Sequence, residues 1–364
     1  MWTSRSPFAA VAVAALLAAC GGGGDDGAVN PQPPPTYVNI SVANQDAVAR
    51  ASVASIGAFL GVPVINESAG PALAKTTQAG TTSALGRHVG LTHLALQALH
   101  VASGQATAAP AGMARPLAQL PPETSSCLVS GTYTSIVDDK DNSKTLTVGD
   151  TASISFSKCD NGDGPVNGGM ALTIATLSQT PTAEDVTGSI AFQSLDILNG
   201  QFSYLVSGGA AFRFTVTLKT DGEELFASFT VASGGLTTTK RAVVAGGLSD
   251  SFSYRAGYTV SERDFSSTDQ GVPSSAVFTA SGDFGSQSLG GDLTLSTITP
   301  FESFYTDPYG DIFPTKGQLL VSGLDGTKLR LTATPTVQVL MEMSDDSDAD
   351  WEYSKLVTWE WLFS

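Results

Sequence analysis

Histidines, acidic runs, one serine loop and three cysteines are the residues of this 364-residue chain whose types and spacing could do chemistry. The histidines His88, His93 and His100 fall in one short stretch, which invites a metal or general-base reading. On a helix, however, His93 and His100 stand two turns apart, about 10 Å along the axis. That is too far to hold one ion unaided, and His88 points elsewhere. The three read as the polar edge of an otherwise apolar helix. The run Asp345-Asp346-Ser347-Asp348-Ala349-Asp350 sets carboxylates at alternate positions, as a calcium loop does, with Asp346, Asp348 and Asp350 as weak candidate ligands. An EF-hand loop opening at Asp346 would require Gly at the sixth position and Glu at the twelfth. The chain has Trp351 and Val357 there, so that motif fails. Asp138, Asp139 and Asp141, and Asp160 with Asp163, are similar acidic turns, read as solvated hairpin tips.

Gly285-Ser286-Gln287-Ser288-Leu289-Gly290 resembles a nucleophile loop but has one residue too many for GxSxG. A serine triad also needs a base, and the whole β-rich part of the chain holds no histidine. Phosphate loops and dinucleotide fingerprints are absent. Paired carboxylates suit glycoside hydrolysis, but the many loop Asp residues single out no pair. No catalytic residue is assigned, no cofactor is expected, and the expectation is a non-catalytic protein.

The cysteines are more informative. Arg5 precedes an apolar run from Phe8 to Leu17, far short of the roughly 20 residues that span a bilayer. It has the length of a secretory signal core ending in small residues. Leu17-Ala18-Ala19-Cys20 resembles the lipobox of bacterial lipoproteins. The resemblance implies cleavage before Cys20, a diacylglycerol thioether on its sulfur, and usually a further amide-linked chain. A thiol is needed as the nucleophile, and small residues let the peptidase close on the backbone. Stable anchoring takes more than one acyl chain, at about 0.8 kcal/mol per buried CH₂. In that class, Asp after the Cys tends to retain the protein in the inner membrane. Gly21 stands there in this chain, which points to the outer membrane. With Cys20 consumed by lipid, Cys127 and Cys159 remain as a pair in an oxidising compartment, where a disulfide is expected.

Lys and Arg total 18 against 34 Asp and Glu, a formal charge of −16. Such a chain suits neither nucleic acid nor anionic headgroups, so its membrane partner is reached through the acyl chains on Cys20. The body resembles uncharacterised Gram-negative envelope lipoproteins by composition alone.

Stepping along the chain gives residues 1–19 as signal peptide and 20–36 as lipidated Cys with a Gly/Pro tether. Residues 37–126 form an Ala-rich helical segment and linker, and 127–364 an antiparallel β domain. Tyr37 to Val42 alternates like a short strand. Helices are predicted after Asn44, as N-cap with Asp46 in the first turn, up to Gly61, and over Ala84 to Ala102. Gln105 to Ser126 reads as an extended linker. Beyond Cys127, period-two alternation predicts about sixteen strands joined by hairpin turns. Among them are Lys144–Val148, Gln201–Ser207 and Ala211–Lys219 around a Gly208-Gly209 turn, Glu224–Ala232 and Leu236–Val243, and an unbroken Phe252–Glu262. The last, Tyr353–Phe363, places Val357, Trp359, Trp361 and Phe363 on one face. Membrane barrels also end in aromatic strands, but many strands here are shorter than the ~9–11 residues of a crossing, so an aromatic core strand is expected.

The fold expected is mainly β, a large antiparallel meander curved or rolled into an open barrel, with two N-terminal helices packed on or in it. The function expected is a lipid-anchored outer-membrane protein binding an apolar ligand or an envelope protein. The alternatives are a structural or adhesin-type surface module, and a calcium-dependent or hydrolytic envelope protein. A carrier would show an apolar cavity, and a filled core would favour a protein partner.

Overall fold

The computed structural model describes residues 32–60, 90–108, 120–143, 145–161, 164–199, 202–242, 249–268, 274–305, 313–336, 338–346 and 350–363. Gln32–Ser364 is one compact unit. Two helices, α1 (Gln45–Leu60) and α2 (Leu91–Ala108), precede the strands β1 (Glu123–Ser126), β2 (Ser130–Asp138), β3 (Thr151–Asp160), β4 (Pro165–Gln179) and β5 (Ala183–Asn199). Then come β6 (Phe202–Lys219), β7 (Gly222–Ala242), β8 (Asp250–Tyr254), β9 (Thr259–Ser267), β10 (Ser274–Ser286) and β11 (Gly291–Tyr305). The chain finishes with β12 (Lys316–Ser322), β13 (Lys328–Ala333), β14 (Gln338–Ser344), β15 (Tyr353–Thr358) and α3 (Trp359–Phe363).

All 15 strands belong to one antiparallel sheet in sequence order, so the expected meander is the architecture. Among the described residues the sole departure is at β8 and β9. Leu236 of β7 registers with Tyr254, while Phe229 of β7 registers with Val260. The two short strands therefore occupy one strand position, interrupted by Arg255–Tyr258. Hairpin connections explain the order, because antiparallel neighbours need only short turns.

The helices fill the concave side. α1 is built from Ala, Val, Ser and Ile, and every residue from Val48 to Phe59 except Arg50 is buried. A helix apolar on all sides belongs in an interior. It touches β7, β9, β10 and β13, whereas α2 touches β2 and β3, so strands far apart in the sheet enclose one helical core. Phe59 anchors it against Phe229, Tyr254 and Tyr258, with ring centroids 6.2, 5.3 and 5.9 Å away.

Several expectations are corrected. Gly208-Gly209 is no turn: β6 runs through it, with a register shift against β7 between Gly208 and Ala210. Gly208 has φ +112, and a Cβ there would stand 2.5 Å from the Gly235 carbonyl oxygen. Only glycine allows two bulging backbones so close. Glu224–Ala232 and Leu236–Val243 likewise merge into β7, and Phe252–Glu262 breaks into β8 and β9. Residues 145–148 are loop, and Tyr37–Val42 makes only a parallel bridge from Tyr37 to Asp292. Asn44 does not cap with its side chain, which accepts from the Ser41 backbone N–H at 2.8 Å. Part of the expected linker is ordered, since α2 continues to Ala108 and β1 starts at Glu123.

The terminal strand stops at Thr358, whose Oγ1 accepts the Trp361 N–H at 3.2 Å and caps α3. Trp359 and Phe363 satisfy an i, i+4 helical spacing as well as a strand alternation. Their rings stack at 6.1 Å, and Trp359 Nε1 donates to the Pro314 carbonyl at 3.1 Å.

Candidate functional site

Cys20 and the lipobox lie outside the described residues, as do His88 and Asp348. Cys127 and Cys159 form the expected disulfide, with their Cα atoms 5.4 Å apart. His93 and His100 fall on α2. Asp345 and Asp346 group with Glu352, their carboxylate oxygens within 4.8 Å of one another and all three exposed; Asp350, also exposed, is not a member of that group.

A second acidic group, Asp139, Asp141 and Asp150, also comes within 4.8 Å and has two buried members. Its carboxylates hold their own loop. Asp150 accepts from the backbone N–H groups of Lys140 and Thr147 at 2.9 and 2.7 Å, and Asp139 from that of Ser143 at 3.1 Å. Hydrogen bonds from Ser143 and Thr147 bring the Asp141 carboxyl down to about 2.

The serine loop is structural. Buried Asp250 accepts from the hydroxyls of Ser286 and Ser288 at 2.5 and 2.8 Å, and from the Ser288 N–H at 2.9 Å. Asp250 fixes the β10–β11 turn, and both hydroxyls are committed to it.

The interior against α1 is polar at its centre. Tyr254 OH donates to the Ser55 carbonyl at 2.7 Å and lies 2.9 Å from Thr238 Oγ1. Lys240 is 1 % exposed, donates to the Phe363 carbonyl at 2.7 Å and sits 3.9 Å from the Phe202 ring centroid. Burial and the charge of Arg50 push its ammonium down to about 7, against the pull of Asp250. The C-terminal helix is thereby latched to the middle of the sheet.

The N-terminal segment is laced onto the rim. Asp292 accepts the Thr36 N–H at 2.7 Å and pairs with Arg255 at 2.9 Å, while Arg255 also donates to the Pro33 carbonyl at 2.7 Å. Ile40 N–H donates to Thr327 Oγ1 at 3.0 Å. Residues 32–36, read from sequence as the end of a tether, are thus already part of the fold.

The most unusual constellation is one that sequence reasoning missed. On β9, Val260 is buried, and Glu262 and Asp264 follow at the same parity, so both carboxyls face the concave side. Asp264 registers with Leu225 of β7 and Ala276 of β10, and Glu262 with Ala227 and Phe278. Phe278 in turn stacks on Phe301 at 4.8 Å. Asp264 is only 6 % exposed, and its Oδ1 has no hydrogen-bond partner. Burial raises the Asp264 carboxyl to about 6, with partial relief from the Phe265 backbone N–H. Burial and then the charge of Asp264 raise Glu262 to about 8. Two residues along a strand span about 6.6–6.8 Å, so the acids share one patch of wall. The intervening Arg263 faces outward, pairing with Glu224 at 3.0 Å. The signal lay in the alternation itself: two acids at the buried parity beside an Arg at the exposed one.

No family model, no curated protein and no solved structure matches the chain. Its class therefore rests on the fold alone, a single antiparallel sheet enclosing its own N-terminal helices.

Proposed function

We propose that this is a lipid-anchored, exported envelope protein of the outer membrane, non-catalytic, whose β body binds a ligand or partner. The observation that carries the anchoring is the Cys127–Cys159 disulfide. It uses both cysteines of the body, so Cys20 is the one left to be acylated. The disulfide also suits an oxidising compartment, and the acidic body fits attachment by acyl chains rather than by charge. The binding reading is supported by the concave wall around Glu262 and Asp264, where buried acceptor capacity is unused. α1 also touches β9 and β10, so the unmatched Asp264 Oδ1 lies in a wall that this helix shares.

Expression of the full chain with and without Cys20→Ser tests the anchor. Wild type should float with membranes and yield an acylated N-terminal peptide by mass spectrometry, while the variant is released. A wild-type protein that is soluble and unacylated overturns the reading.

A further inference from the structure

We propose that Glu262 and Asp264 bind the ammonium group of an amphiphilic organic amine, whose apolar body packs along Phe278, Phe301 and Leu225. This deepens the ligand-binding reading above and rests on it.

Asp264 Oδ1 is a buried acceptor without a donor. Leaving such an acceptor unmatched costs its desolvation, and a ligand N–H would remove that cost. The site is also unmatched in charge, because neither acid makes an ion pair among the described residues. The nearest basic side chain in sequence, Arg263, is engaged by Glu224 on the opposite face. Two acceptors side by side suit an ammonium, which carries up to three donors. The surroundings then choose between an organic cation and a metal ion. Calcium seeks six to eight oxygen ligands, whereas here the register partners are Leu225, Ala227, Ala276 and Phe278. Aromatic faces such as the Phe278–Phe301 stack attract ammonium groups through the ring quadrupole. A chain of net charge −16 also draws cations towards it over distance.

Binding would carry a protonic signature. At neutral pH Glu262 holds its proton, since its carboxyl titrates near 8. An ammonium beside it favours the ionised form, so binding releases a proton to buffer.

The test is calorimetric titration of the full lipidated chain in nonionic detergent with phenylbutylamine, phenylbutanol and phenylbutyrate, in buffers of different ionisation enthalpy. The inference expects the amine to bind at least about tenfold more tightly than the alcohol, a difference that Asp264→Asn removes. It also expects the heat of amine binding to vary with the buffer, and this variation to vanish in Glu262→Gln. Equal binding of amine and alcohol overturns the inference and leaves the ligand-binding reading standing. Amine binding unaffected by Asp264→Asn in a variant with unchanged circular dichroism overturns the site. Calcium chloride displacing the amine from wild type but not binding Asp264→Asn replaces the amine with a metal and overturns the proposal. Binding of none of the three overturns both the inference and the ligand-binding reading.

Discussion

Asp264→Asn should stabilise the protein at mildly alkaline pH and do little in acid. The Asp264 carboxyl is raised from 3.8 to about 6 by burial. The folded state therefore holds a proton over a range of pH where the unfolded chain has lost it. With more protons bound in the native state, stability falls as pH rises. The cost is absent below the unfolded value of 3.8 and fully present above about 6. At ~1.4 kcal/mol per pKa unit, the difference amounts to about 3 kcal/mol. Asparagine removes the charge but leaves an amide in the same wall, so a gain of about 1–3 kcal/mol is expected. At ~2 °C per kcal/mol for a large domain, this is a rise of a few degrees in Tm. Thermal unfolding followed by circular dichroism, for wild type and variant at pH values on either side of this window, reads the effect. The gap between the two should widen with pH and close in acid. A variant less stable than wild type at alkaline pH would show that the carboxylate has a favourable ionic partner, and would refute the account of the site.

Phe59→Ala should cost about 3–5 kcal/mol, because the ring is fully buried among Phe229, Tyr254 and Tyr258; urea unfolding checks it. Cys127→Ala with Cys159→Ala frees a loop whose ends are 32 residues apart, and by chain entropy should lower stability by about 3–4 kcal/mol. Reductant should lower the Tm of wild type and leave the double variant unmoved. Asp292→Ala removes the acceptor for Thr36 and the partner of Arg255. Limited proteolysis should then cleave within 32–40 much faster than in wild type, while the Tm of the body falls little.

Most strands were legible because alternation of buried and exposed side chains is a local signal. The failures have specific causes. Gly208-Gly209 has the composition of a turn, but Gly208 serves a close approach to Gly235 on the next strand, a contact invisible in either segment alone. Trp359 and Phe363 fit periods of two and of nearly four, and the Thr358 cap decides between them. The disulfide was legible because reading Cys20 as a lipobox cysteine leaves one pair among the three. Glu262 and Asp264 were not, since acids in a chain with 34 of them draw notice only once their parity is fixed by register with Ala227 and Leu225.

The lacing of the N-terminal segment also constrains the order in which the chain can fold. Thr36 bonds to Asp292, Ile40 to Thr327 and Asp46 to Lys355, separations of 256, 287 and 309 residues. Contacts so distant in sequence close slowly. α1 leads the described chain, yet its enclosing wall includes β13. The chain must therefore hold an apolar helix unsheltered until its last strands arrive, and the N-terminal end of the body stays slack until then. Completion of the C-terminal strands, rather than emergence of the N-terminal helices, sets the moment at which this protein becomes native.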